Sequence, residues 1–207
     1  RHSSSAASDV YKRQEVIDAV AEAAEGDDPV EAGRAAQIIA EARFLRAFHG
    51  LQGQLHFRNP AYVDDAAYDV NDTESSKVPN SGQIWDQIIA DFTAAAAGLP
   101  ATQSDLGRAT SWAAKAFLAK THMHTGDPGL IAAAIPVMED IVNNGGFSLV
   151  AKYEDNHLVA TRNNSESIFE IQYAISSGDD QNGNKGVGLA HPYISVSYTH
   201  LTLPTNC

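Results

Sequence analysis

The chain of 207 residues holds 14 lysines and arginines against 26 aspartates and glutamates, a formal net charge of −12. So acidic a balance lacks the clustered cations that nucleic acid or an anionic membrane surface requires, and neither is expected as a partner. The one cysteine, Cys207, stands at the last position, so disulfides, thiol catalysis and Cys-ligated zinc are excluded upstream of it.

Both ends read as foreign to the rest. Residues 4–14, SSAASDVYKRQ, match the translation of a DNA-library adapter, and 196–205, VSYTHLTLPT, match that of its inverse complement. The expected organisation is therefore an adapter-derived tail over 1–14, one partial helical domain over 15–194, and a second adapter-derived tail over 195–207. Glu15 to Ile194 is expected to be an internal stretch of a longer protein.

Glu15 to Glu25 reads as the end of a helix with Val16, Val20 and Ala23 or Ala24 on one face, broken at Gly26-Asp27-Asp28. The longest helical run follows, Ala35 to Arg58. Ala36, Ala40, Phe44, Ala47, Phe48, Leu51 and Leu55 recur three or four residues apart and predict one apolar stripe. Asp28 is the expected N-cap, Pro29 the first helical residue and Glu31 the reach-back acid of a capping box. Asn59-Pro60 stops the run, because the residue before proline is pushed out of the α region.

From Asn59 to Gly82 the helical spacing dissolves into Pro, Asp, Asn, Ser and Thr, with Tyr62 and Tyr68 among them. Loops of this length are commonly functional or disordered. Spacing resumes at Ile84, with Trp85, Ile88, Ile89, Phe92, Ala95, Ala96 and Leu99 as a stripe and Trp85 assigned to the core. Asn80 and Gln83 fit a capping box at its start. A further helix is expected from Ser111 to Thr125, small or apolar on more than one face and so placed between others. Asp127-Pro128 then caps a last helix whose stripe is Ile131, Ala134, Ile135, Met138, Ile141 and Val142, ended by Asn143-Asn144-Gly145-Gly146.

After Gly146 the period changes. Phe169, Ile171, Tyr173 and Ile175 alternate with polar residues over Ser167 to Ile175, which predicts a strand. Gly178 to Gly188 is turn-rich. The expected fold is mainly α: a tetratricopeptide-like αα-hairpin helical domain with a small irregular or β annex. The hairpin is formed by the last two helices, about 34 residues long, the size of one such unit.

The acid pairs Asp64-Asp65, Glu154-Asp155 and Asp179-Asp180 belong to solvated faces of an acidic chain, and no catalytic residue is expected. His122 and His124 point to different helix faces, and His49 and His56 lack a third ligand, so no metal and no cofactor is expected. Asp69, Asn71, Asp72 and Glu74 lack the glycine and the final glutamate of a calcium loop. Arg43 and Arg46 are read as structural, tying acids or loop carbonyls.

Five stretches stand out in order: EARFLRAFHGLQGQLHFRNPAYVDD (41–65), IWDQIIADFTAAAAGLP (84–100), GRATSWAAKAFLAKTHMHTGD (107–127), NNGGFSLVAKYEDNH (143–157) and NNSESIFEIQYAI (163–175). Together they resemble the SusD/RagB family of surface glycan-binding lipoproteins. The run Gly50-Leu51-Gln52-Gly53-Gln54 departs from the family's Tyr-rich turn, and its lipid-bearing cysteine and C-terminal half have no counterpart here. The resemblance implies a non-catalytic protein of the cell outer membrane, surface-exposed and lipid-anchored in the full-length parent. It would capture oligosaccharides and deliver them to a TonB-dependent, SusC-like transporter. A pyranose stacks its apolar face on an aromatic ring and needs amides or acids for its hydroxyls. Tyr62, Tyr68 and Asn71 in the long loop, and His191 and Tyr193 near the end, are the expected ligand-binding residues, with Asn182 and Asn184 as further amides. The alternative reading is a tetratricopeptide-type scaffold that binds protein.

Overall fold

The structure is a computed structural model that describes residues 13–14, 16–23, 31–64, 72, 74, 77–80 and 82–172. The chain divides into two units, Arg1–Glu170 and Ile171–Cys207; the second is described only at Ile171 and Gln172, both exposed. The first is helical. Helix α1 covers residues 13–14 and 16–23, α2 Ala32–Phe57, α3 Trp85–Gly98, α4 Ser111–His124 and α5 Pro128–Asn144. Sequential helices pack on one another, α2 on α3, α3 on α4 and α4 on α5. As its composition predicts, α4 lies between neighbours, and α4 with α5 forms the expected αα-hairpin.

The core is where the predicted stripes of α2 and α3 meet α4. Phe44, Ala47 and Leu51 of α2 are fully buried against Ile88, Phe92 and Ala95 of α3 and Ala113 and Ala114 of α4. Phe44 is the hub of an aromatic cluster. Phe92, Phe117 and Phe169 each meet its ring edge-on, with centroids 5.3–5.8 Å away, the geometry that ring quadrupoles favour. Small residues set the spacing of α2 and α3. A Cβ added at Gly98 would stand 2.9 Å from the Ala40 Cβ.

The helix starts separate local from non-local signals. Thr110 caps α4 by accepting from the Ala113 N–H, and Asp127 caps α5 by accepting from Gly129 and Leu130, with proline in the first turn. The cap expected at Asn80 is not the one observed, and Asp28 and Pro29 lie outside the described residues. Helix α2 starts after Glu31 and α3 after Ile84, neither with a cap from its own side chain. Instead Gln54, buried near the end of α2, accepts the Ile84 N–H at 2.9 Å and donates to the Arg58 carbonyl. One amide thereby closes the end of α2 and the start of α3. Arg58, at φ 64°, ends α2 ahead of Pro60.

Three expectations need correction. In α1 the buried residues are Gln14 and Ile17, whereas Val16 is exposed, so the burial is one position off the expected face. In α5 only Ala134 and Ile141 are buried; Ile131, Met138 and Val142 face solvent and Ile135 is 52% exposed, because α4 covers one side of the helix only. The strand expected over 167–175 is absent over 167–172, where the chain is irregular. Phe169 is drawn into the aromatic cluster, and no strand is present among the described residues to pair with it. The annex before it is irregular too, with two 3-10 turns at Tyr153–His157 and Val159–Thr161.

Candidate functional site

A cavity of about 460 Å³ opens between α2, α3 and the first residues of the long loop. Arg43 and Arg46 of α2, Asp86, Gln87 and Asp91 of α3, and Tyr62 and Asp64 of the loop line it. Its floor is a buried polar network. Arg46 grips Asp91 with two charge-assisted bonds, Nε to Oδ2 at 2.6 Å and Nη2 to Oδ1 at 2.7 Å. The Tyr62 hydroxyl donates to the same Oδ2 at 2.5 Å, and Arg46 Nη1 donates to Gln14. Gln14, assigned from sequence to the amino-terminal tail, is thus buried in this network.

Tyr62 was expected to offer a ring face from an exposed loop. It is 5% exposed, and the Arg46 guanidinium carbon lies 5.8 Å from its ring centroid. Burial first, and the Asp91 carboxylate second, push its hydroxyl well above the ordinary tyrosine range. It is a fixed donor, and the cavity's chemistry is that of hydrogen-bonding groups without a stacking face. Gly50 makes this seat possible: a Cβ there would stand 2.5 Å from Tyr62 Cε2. Tyr68, Asn71, His191 and Tyr193, together with Asn182 and Asn184, lie outside the described residues.

Asp91 is the residue that pattern reading missed. It stands among Ile88, Phe92 and Ala95 at helical spacing, and an acid inside an apolar stripe is the signal that a buried cation faces it. The reading of Arg46 as structural matches its place here.

A second motif pair joins α2 to the loop before α4. Arg108 Nη2 lies 2.5 Å from Glu41 Oε2, and Gln37 and Gln103 both donate to Glu41 Oε1, at 3.0 and 3.1 Å. Gln103 also donates to the Ala109 carbonyl at 2.8 Å. Gly107, at φ 85°, takes a left-handed turn that a side chain would disfavour.

Among the described residues no group of three or more His, Cys, Asp or Glu side chains could hold a metal. Of the acids weighed as a calcium loop, Asp72 accepts the Glu74 N–H and the Glu74 carboxylate is held by Lys77 at 2.6 Å. His122 and His124 share α4, His122 buried and His124 exposed. No described helix is long and apolar enough to cross a membrane.

No protein-family model matches the chain. A SusD-like protein of Bacteroides ovatus is 31% identical over 166 residues, 76% of this chain and 30% of that protein. A SusD-like carbohydrate binding protein of Bacteroides fragilis is 31% identical, with TM-score 0.61 over 80% of this chain and 32% of that one. The chain is thus similar to SusD-like proteins over about four fifths of its own length. A crystal structure with xylogluco-oligosaccharide is 28% identical, TM-score 0.63, over 81% of this chain and 34% of that one. The chain thus spans about a third of the length of the relatives it matches. In SusD-like terms, two of the motif stretches read from sequence are held together by Arg46 and Asp91, and two by Glu41 and Arg108.

Proposed function

We propose that this chain is part of a non-catalytic glycan-binding protein of the outer-membrane surface, lipid-anchored in its full-length form. It captures oligosaccharides and passes them to a TonB-dependent, SusC-like transporter for nutrient uptake. The observation that carries the reading is the match, over about four fifths of the chain, to SusD-like structures. One of these is described as carbohydrate binding and another was determined with xylogluco-oligosaccharide. The helical bundle serves as platform, and recognition falls to the irregular segments.

In this reading Tyr68, Asn71, His191 and Tyr193 contact the sugar, and Tyr62 anchors the first residues of the long loop to α3. Titration of a glycan panel onto the wild-type chain and onto Tyr68→Ala tests it. Weaker binding by the variant supports the loop assignment, and equal binding removes it. Co-purification of the full-length parent with a SusC-like transporter tests the delivery step.

The alternative, a helical scaffold that binds protein, has one observation in its favour: the exposed apolar side of α5 formed by Ile131, Ile135, Met138 and Val142. Protein capture that is lost in Ile135→Asp, with no glycan bound by either form, would favour it.

A further inference from the structure

The most exposed aromatic side chain among the described residues is Tyr153, at 79%. It opens the 3-10 turn Tyr153–His157, and its ring meets that of His157 at a centroid distance of 5.0 Å and an angle of 64°. An edge contact of this kind fixes the attitude of a ring and leaves a face open.

The turn that carries the ring is braced. The Asp155 N–H donates to the Lys152 carbonyl at 3.0 Å, and Thr161 Oγ1 donates to the Asp155 carbonyl at 2.5 Å. Asn164 Nδ2 donates to Asn156 Oδ1 at 2.9 Å. The Glu166 carboxylate accepts the Val150 N–H at 3.1 Å, and its hydrogen bonds, that with Asn156 first, hold it below the ordinary glutamate range. Ser148 and Ser165 are joined twice, N–H to carbonyl at 2.9 Å and hydroxyl to carbonyl at 3.0 Å. Bracing lowers the ordering cost that a ligand would otherwise meet on docking.

Glu154, next to Tyr153 in the turn, is exposed and carries an acceptor carboxylate. A gluco-configured pyranose carries its hydroxyls equatorially, so its two faces are C–H surface and its rim is polar. A flat, exposed ring complements the C–H face of that shape.

We propose that Tyr153, held by the edge contact with His157, is a stacking platform for one gluco-configured pyranose of a bound glycan. The inference rests on the glycan-binding reading above and adds a site outside the residues assigned there. It also gives a role to the fourth motif stretch, which no other part of the account uses.

The test is calorimetric titration of laminarihexaose and of a xylogluco-oligosaccharide into the whole chain, as wild type, Tyr153→Phe and Tyr153→Ala. Removing the ring should weaken at least one of the two by about five-fold or more, while the phenylalanine variant stays within about two-fold. All three should melt together, because the side chain is exposed. Binding by the wild type with no loss in Tyr153→Ala overturns the platform and leaves the glycan-binding reading standing. No binding by the wild type overturns both. Equal losses in the alanine and phenylalanine variants overturn stacking, since only the hydroxyl would then matter. Self-association of the wild type that Tyr153→Ala abolishes, with sugar affinity unchanged, would assign the ring to a protein contact and overturn the proposal.

Discussion

The Tyr62 hydroxyl hydrogen-bonds Asp91 Oδ2 at 2.5 Å, and both residues are buried. Asp91 thereby serves three donors, two from Arg46 and one from Tyr62, and ties the start of the long loop to the α2–α3 interface. Losing the acid strands a guanidinium and a phenol in the interior. Asp91→Ala is expected to cost about 3–5 kcal/mol. Tyr62→Phe removes one bond while Arg46 still satisfies the acid, at about 1–2 kcal/mol. Urea unfolding midpoints at neutral pH would rank the two, with Asp91→Ala the lower.

Gly50 is the position where adding a methyl group should harm most. Helix propensity alone would favour alanine by about 1 kcal/mol. The Cβ would stand 2.5 Å from the Tyr62 ring and 3.3 Å from Ile88 Cγ1, which are held by the core. Overpacking of this kind costs about 1–3 kcal/mol, so Gly50→Ala should lower the melting temperature. Gly33→Ala, also in α2, has only the Glu31 Oε1 within 4 Å, at 3.8 Å, and should raise it. Thermal melts of the two single variants check the opposite signs.

Gln54 links two helix ends through one side chain. Gln54→Ala orphans the Ile84 N–H at the start of α3 and should cost about 1–2 kcal/mol. Hydrogen exchange would locate the effect. Amides of the first turn of α3 should lose protection before those of the Phe44 cluster, whereas uniform loss would assign Gln54 to general packing.

His122 is buried, its Nδ1 has no hydrogen-bond partner among the described residues, and burial lowers its pKa. The unfolded chain therefore binds this proton more readily than the folded one. The stability it contributes is complete above the unfolded value of about 6.5 and is lost as pH falls through the lowered folded value. His122→Leu should flatten that part of the stability profile while changing neutral-pH stability little. Urea midpoints from pH 7.5 down to pH 5 would show it, and an unchanged slope would assign the acid sensitivity elsewhere.

What could be read from the residues was what is local. Asp127-Pro128 caps α5 because the acid, the proline and the amides they serve lie within one turn. The stripe of Phe44, Ala47 and Leu51 announced its own burial by spacing. Periodicity says which side of a helix is apolar, not whether anything covers it, and Ile135 marks the difference. Alternation of Phe169 and Ile171 with polar residues looked like a strand, but Phe169 enters the aromatic cluster while Ile171 is exposed. Tyr62 looked like loop, since nothing in its neighbourhood states that Gly50 opens a seat for it 12 residues upstream. Gln54 could not be read as the cap of α3, because cap and helix lie 30 residues apart.

The central claim is capture of glycan without chemistry on it. The direct measurement is titration of a labelled xylogluco-oligosaccharide into the whole chain, followed by chromatography of the recovered sugar. The account predicts a saturable isotherm and sugar returned at its original length. A flat isotherm, or sugar returned as shorter fragments, would contradict it.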